Sequence, residues 1–164
     1  MIILTLNVGS SSIKFQITDT SKKTWLYKGK IDFLKNEIEA FTEEKSIKFR
    51  AKNKKIEDGI KLIFKIMDKE KPLGKKSLDG VAHRIVHGGE KYTNPILISK
   101  KLIQNLKKIS GLAPLHSPYN LEGIKIAQKL FPKIPHIAIF DTGFYKTLSE
   151  KAWRYAIPEE WYKK

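Results

Sequence analysis

The chain has no cysteine. That excludes a disulfide framework and any thiolate metal site. No apolar run approaches the length of a membrane span. The apolar run at the N-terminus has no basic segment before it and is too short for a signal peptide, so the expected compartment is the cytoplasm. Acidic residues are scarce: 17 Asp and Glu stand against 32 Lys and Arg, for a net charge of +15. A surface of that sign attracts anions, nucleic acid included. Nearly all of the positive charge is Lys, however, and it is spread along the chain. Arg is the better reader of phosphates because it binds bidentately. The lysines therefore read mostly as a solvated face, and specific nucleic-acid binding is not expected. Repeats and low-complexity linkers are also missing. What remains, 164 residues with 41% hydrophobic content and a mean hydropathy of −0.37, fits one domain over 1–164 with a real core.

The most informative stretch is the first seventeen residues. Met1 to Leu6 is a short apolar run, as in a strand buried on both faces. Asn7-Val8-Gly9-Ser10-Ser11-Ser12 interrupts it with small polar residues. Ile13 to Ile17 then alternates apolar and polar, the mark of a half-buried strand. A loop of Gly and three serines concentrates backbone N–H groups and hydroxyls without bulk, and Lys14 adds a positive charge at its exit. Such a loop can fold around phosphate oxygens. It is also what an unliganded hairpin turn looks like. It is not a Walker A loop, which runs from a strand into a helix.

Further along, Thr24 to Phe33 reads as a third strand, completing an antiparallel meander. Residues 35–45 are polar and acidic and read as irregular, with a short strand at Ser46 to Arg50. Lys54 to Lys69 predicts a helix with Ile56, Ile60, Ile63 and Met67 on one stripe, ended by Pro72 and Gly74. Gly80 to Val86 reads as a buried strand running into His87-Gly88-Gly89. Ser99 caps a helix through Ser110, with Gly111 as its stop. Ser117 as cap and Pro118 at the first position open another. His136 to Phe140 is a strand with Asp141 just past its end, a common ligand-facing position in α/β sheets. Ser149 is placed to cap a short helix.

Several of these residues admit two readings. Arg84, at the end of an apolar strand, is costly to bury without an anion. That anion is either a ligand or an acid of the protein. His116 is either a functional group or a loop histidine bonded to its own backbone. Asp141 either faces a ligand or caps a turn. Val86 and Leu115 read as core on residue type, and His83 and His87 read as structural.

Four runs together carry a family resemblance. Leu6-Asn7-Val8-Gly9-Ser10-Ser11-Ser12-Ile13-Lys14 resembles the opening signature of acetate kinases, an Asn-(Ala/Cys)-Gly-Ser-Ser-Ser-x-Lys run. Ala82 to Glu90 resembles their second signature. Leu112 to Pro118 and Phe140 to Phe144 resemble their substrate-side segments. Val8 departs conservatively from Ala or Cys. Ser117 and Tyr119 alter an Asn-Pro-Ala-Asn-like run in which Asn120 remains. The resemblance runs from residue 2 to about residue 160 but covers only the first part of the family's length.

The resemblance implies an α/β, ribonuclease-H-like domain of the actin/hexokinase/Hsp70 (acetate and sugar kinase) type, as an N-terminal half. The C-terminal nucleotide-binding domain is expected to be absent from this chain. The implied reaction is reversible phosphoryl transfer, ATP plus acetate giving acetyl phosphate plus ADP, with Mg²⁺ accompanying ATP. The implied roles fall on named residues. Asn7 helps hold Mg²⁺. Ser10, Ser12 and Lys14 contact nucleotide phosphate. Arg84 binds the carboxylate, and Val86 and Leu115 pocket the methyl group. His116 donates a hydrogen bond near the phosphoryl group. Asp141 is the essential carboxylate, positioning Arg84 or exchanging a proton. The isolated chain is then expected to be inactive, its partner being a complementary C-terminal half or the homodimer of the full-length enzyme. Two alternatives stand beside this reading: a non-catalytic basic module for an anionic partner, and a propionate or butyrate kinase fragment.

Overall fold

Alternating side chains decide the first half of the molecule. In a computed structural model of the protein, which describes residues 1–50, 55–70 and 78–162, β1 (Ile2–Val8), β2 (Ser12–Asp19) and β3 (Thr24–Asp32) form the expected antiparallel meander. Ile2, Leu4, Leu6 and Val8 point to one face and are buried. Thr5 is exposed and Asn7 half-buried on the other, so β1 is not the doubly buried strand that its apolar composition predicts.

The acidic stretch after the meander is a second departure. It holds β4 (Glu37–Phe41), which pairs with β3 and with β5 (Ser46–Arg50). Ile38 and Ala40 are fully buried while Glu37 and Glu39 face outward. The period-two pattern was present, carried by only two inward residues between charges.

Helix α1 (Ile56–Glu70) lays Ile56, Ile60, Ile63 and Ile66 into the core. The expected start at Lys54, the side chain of Met67 and the stop at Pro72 and Gly74 lie outside what is described. The chain then returns as β6 (Gly80–Ile85), parallel to β1, and makes a two-residue strand, β7 (Ile96–Leu97), not foreseen in the sequence. In α2 (Lys100–Lys108), Ser99 caps as expected: its hydroxyl accepts from the Leu102 N–H at 3.2 Å. In α3 (Ser117–Leu130), by contrast, the cap position falls on His116, and Ser117 is already the first helical residue. The last strand, β8 (His136–Phe140), lies parallel to β6. Two single-turn helices follow, α4 (Glu150–Trp153) and α5 (Glu159–Tyr162); Ser149 holds the cap position of α4 without a side-chain capping bond.

The eight strands make one sheet in the order β5-β4-β3-β2-β1-β6-β8-β7. Helices α1 and α3 cover one face. The main core lies beneath them, built on Leu4, Leu6, Ile13, Ile17, Tyr27, Ile31, Ile38, Ile60 and Ile63, all at most 1% exposed. Each such side chain contributes about 2 kcal/mol relative to exposure. A second cluster of Ile85, Leu102, Leu106, Ile124, Ala138 and Phe140 seats α2 and α3 against β6 and β8. The opposite face of the sheet carries the exposed or half-buried Ile3, Thr5, Asn7, Lys14, Gln16, Ala82, Arg84, Ile137 and Ile139. Among the described residues no helix is long and apolar enough to cross a membrane.

Candidate active site

Pleating places the candidate residues. Leu6 lies opposite His83 in the parallel ladder, and both are buried on the helix side. Their successors, Asn7 and Arg84, therefore fall on the open face. Asn7 lies opposite Lys14 on β2, and Arg84 opposite Ile139 on β8. Lys14, Asn7 and Arg84 thus form a row across three adjacent strands, near the carboxyl ends of β1 and β6. In open α/β sheets, ligands bind at the carboxyl ends of the strands.

Arg84 and Asp141 meet at the end of this row. Arg84 Nε donates to Asp141 Oδ1 at 2.8 Å, and Nη2 to Oδ2 at 2.7 Å. This is a bidentate fork. The hydrogen bond to Asp141 raises the guanidinium pKa above its already high ordinary value. Of five N–H donors, the fork occupies one on Nε and one on Nη2. Both hydrogens of Nη1 and the second on Nη2 are left, an edge that matches a second planar oxyanion. The Arg84 side chain is 48% exposed and that of Asp141 35%, so the pair is open to a ligand. Asp141 also opens a single turn of 3-10 helix, Asp141–Gly143. The two readings of Arg84, protein acid and ligand anion, are thus compatible.

The serine loop is held by its own backbone. The Gly9 N–H donates to the Ser12 carbonyl, and the Phe33 N–H to the Ser11 carbonyl, each at 2.9 Å. Ser10 and Ser11 are exposed and Ser12 half-buried. Lys14 is exposed at the loop's exit. His116 lies at the head of α3 with an exposed imidazole. Residue type misleads for the two apolar candidates: Leu115 is 76% exposed and Val86 only half-buried, so neither is core.

The glycine turn beside Arg84 is built for shape. Gly89 adopts φ +64°, in the left-handed region. Its N–H donates to His87 Nδ1 at 2.9 Å, a structural use of that ring. A Cβ on Gly88 would collide with the Tyr92 carbonyl oxygen.

Sequence reasoning missed the partner of His83. His83 and His136 stack on the buried face, with Nε2 of the first 2.9 Å from Nδ1 of the second. His136 Nε2 lies 3.1 Å from the Phe131 carbonyl, which can only accept. That fixes both tautomers: His136 donates from Nε2, and its bare Nδ1 accepts from His83 Nε2–H. Burial, then the neighbouring His136, lowers the His83 pKa to about 3, and burial also lowers that of His136. The two residues lie 53 apart in sequence, so no local pattern links them.

An antiparallel meander followed by parallel strands with crossover helices is a ribonuclease-H-like domain of the actin/hexokinase/Hsp70 type, the class in which a polar hairpin loop sits at the carboxyl end of the first strand. The chain belongs to the acetokinase family, whose sequence model matches residues 2–164. It is 40% identical over 174 residues to an acetate kinase of Halothermothrix orenii, covering 100% of this chain and 43% of that protein. Among solved structures, a Porphyromonas gingivalis acetate kinase superposes with TM-score 0.86 at 30% identity, covering 99% of this chain and 42% of that one. A Francisella tularensis propionate kinase superposes at 0.82 with 33% identity, covering 97% and 41%. The chain thus spans less than half the length of these relatives.

Proposed function

We propose that this chain supplies the carboxylate-binding and phosphate-loop side of an acetate kinase, which transfers a phosphoryl group reversibly between ATP and acetate. The observation that carries the reading is the Arg84–Asp141 fork on the same sheet face as Asn7 and Lys14. The free edge of Arg84 takes the acetate carboxylate, or the acyl phosphate formed from it. Asp141, with both oxygens committed to Arg84, orients the guanidinium in preference to moving a proton. Val86 and Leu115 flank the methyl group. Lys14, the N–H groups of the loop, Ser10 and Ser12 stabilise phosphoryl oxygens, and His116 donates a hydrogen bond to the transferring group. Such chemistry needs positioning and positive potential more than covalent work.

Mg²⁺ enters with ATP. Among the described residues no cluster of three His, Cys, Asp or Glu side chains is placed to hold a metal. The Asn7 amide oxygen and the serine hydroxyls are hard donors, which suits an ion bound mainly through nucleotide phosphates and water. Asn7 would hold it on this side, and the bound ion would neutralise phosphate charge.

The remaining half of the cleft comes from a complementary C-terminal portion. Its surface on this chain includes the exposed rings of Phe144, Tyr145 and Tyr155. The compartment proposed is the cytoplasm. Likeness to a propionate kinase supports a second reading, in which the same site takes a carboxylate one methylene longer.

Adding sodium acetate to the isotopically labelled chain tests the core of this reading. The Arg84 Nε–H resonance should move, and the chain alone should form no acetyl hydroxamate from ATP, acetate and hydroxylamine. An unmoved Arg84 resonance, together with retention of nucleic acid that falls steeply with salt, would replace this reading with that of a basic binding module.

A further inference from the structure

The ladder between β1 and β6 ends at Leu6 and His83. Continued in the same register, it would set Gly9 beside Val86, and one of its slanted bonds would run from the Val86 N–H to the Val8 carbonyl. A side chain has taken over both ends of that bond. Asn120 Oδ1 accepts from the Val86 N–H at 3.1 Å, and Asn120 Nδ2 donates to the Val8 carbonyl at 2.8 Å. A carboxamide presents an acceptor and a donor side by side, so it stands in for the missing peptide contact and leaves neither backbone group orphaned.

The helix leaves Asn120 no alternative. Gly123, one turn further along α3, lies so close to β1 that a Cβ there would be 2.7 Å from Val8 Cγ2. Ile124 is fully buried, and Asn120 itself is only 5% exposed. Burying an amide is costly unless it is fully bonded, and an apolar side chain here would leave the Val86 N–H and the Val8 carbonyl without these partners.

We propose that Asn120 is a positioning residue, a wedge that holds the ends of β1 and β6 apart. It thereby sets the distance between the phosphate loop after Val8 and the carboxylate-binding segment Arg84 to Val86. The gap suits an anion with a carboxyl group at one end and a phosphoryl group at the other. What the gap holds rests on the function proposed above; the wedge itself does not.

Through-hydrogen-bond NMR correlations on the 164-residue chain test the wedge without a ligand. In the wild type, the Val86 amide should correlate with the Asn120 side-chain carbonyl carbon and not with that of Val8. In Asn120→Ala, the strand ends should pair: a Val86-to-Val8 correlation appears, and amides of Gly9 to Ser12 and Arg84 to Val86 shift while those of α1 stay. Either a wild type lacking the Asn120 correlation, or a folded Ala variant with both strand ends unmoved, overturns the proposal. If the Ala variant does not fold, Asn120→Asp decides. It keeps the acceptor for Val86 and loses the donor to Val8, so shifts should concentrate at Val8 to Ser12; unmoved resonances there overturn the wedge.

Sodium acetate and inorganic phosphate, added separately, complete the test. In the wild type acetate should move Arg84 and phosphate the loop amides, and closing the gap should abolish both responses, which lost stability alone would not do. Retained responses in a folded Ala variant overturn the wedge. A wild type indifferent to both probes removes the proposed function, and the through-bond correlations still decide the wedge.

Discussion

The buried histidine pair makes stability depend on pH between the ordinary histidine pKa and the lowered value of His83. His83 holds its folded pKa at about 3, against an ordinary value of 6.5. A lowered histidine pKa means that the unfolded chain binds the extra proton. The stabilisation from His83 is therefore complete above pH 6.5 and is lost as pH falls toward the folded value. At pH 5 the unfolded His83 is about 97% protonated and the folded ring almost wholly neutral, a loss of about 2 kcal/mol relative to pH 7.5. His136, lowered in the same direction, adds to it. With a urea slope of about 2 kcal/mol per M, the midpoint should drop by about 1 M. Urea unfolding at pH 7.5 and pH 5.0, followed by tryptophan fluorescence, measures this. A His83→Phe/His136→Phe double variant should lose most of the difference whatever its absolute stability. Equal midpoints at the two pH values in the wild type, or an unchanged difference in the double variant, would refute the reasoning.

Removing either member of the fork should be severe for function. In the chain combined with a complementary C-terminal portion from an acetate kinase relative, Arg84→Ala and Asp141→Ala should each lower acetyl hydroxamate formation by at least about 100-fold, as for loss of one transition-state donor. Normal turnover in either would remove that residue from the site. Gly88→Ala places a Cβ against the rigid Tyr92 carbonyl and should cost about 2–3 kcal/mol in urea unfolding. Gly111→Ala, with nothing within 4 Å, should stay within about 0.5 kcal/mol of wild type. Ser99→Ala removes the cap of α2 and should cost about 1 kcal/mol.

The sequence was readable wherever one local pattern decided the structure. The meander and α1 follow from periods of two and 3.6, and the α2 cap from one serine before a helical stripe. Reading failed where a distant partner decides. Nothing near Glu37 announces that β3 and β5 flank it, and nothing near Ser117 shows that the helix starts one residue earlier. Leu115 looks like core because residue type carries no information about which surfaces a loop faces. The candidate site divides in the same way. Its residues could be named from motifs, and strand parity would have put Asn7, Lys14 and Arg84 on one face. The bidentate approach of Asp141 to Arg84 depends on the register between β6 and β8, separated by two helices.

The ends of the sheet bear on self-association. An open sheet leaves unpaired N–H and C=O groups at its two margins, a template for another chain to add to. Here one margin is β7, only two residues long, which offers too little backbone for a foreign strand to grip. The other is β5, where Lys48 and Arg50 alternate along a five-residue strand. Lys48 is tied sideways to Glu37 and Glu39 on β4, so its charge stays at the margin. A sheet of eight strands can thus remain open-ended without growing: one margin is short, the other lined with charged side chains.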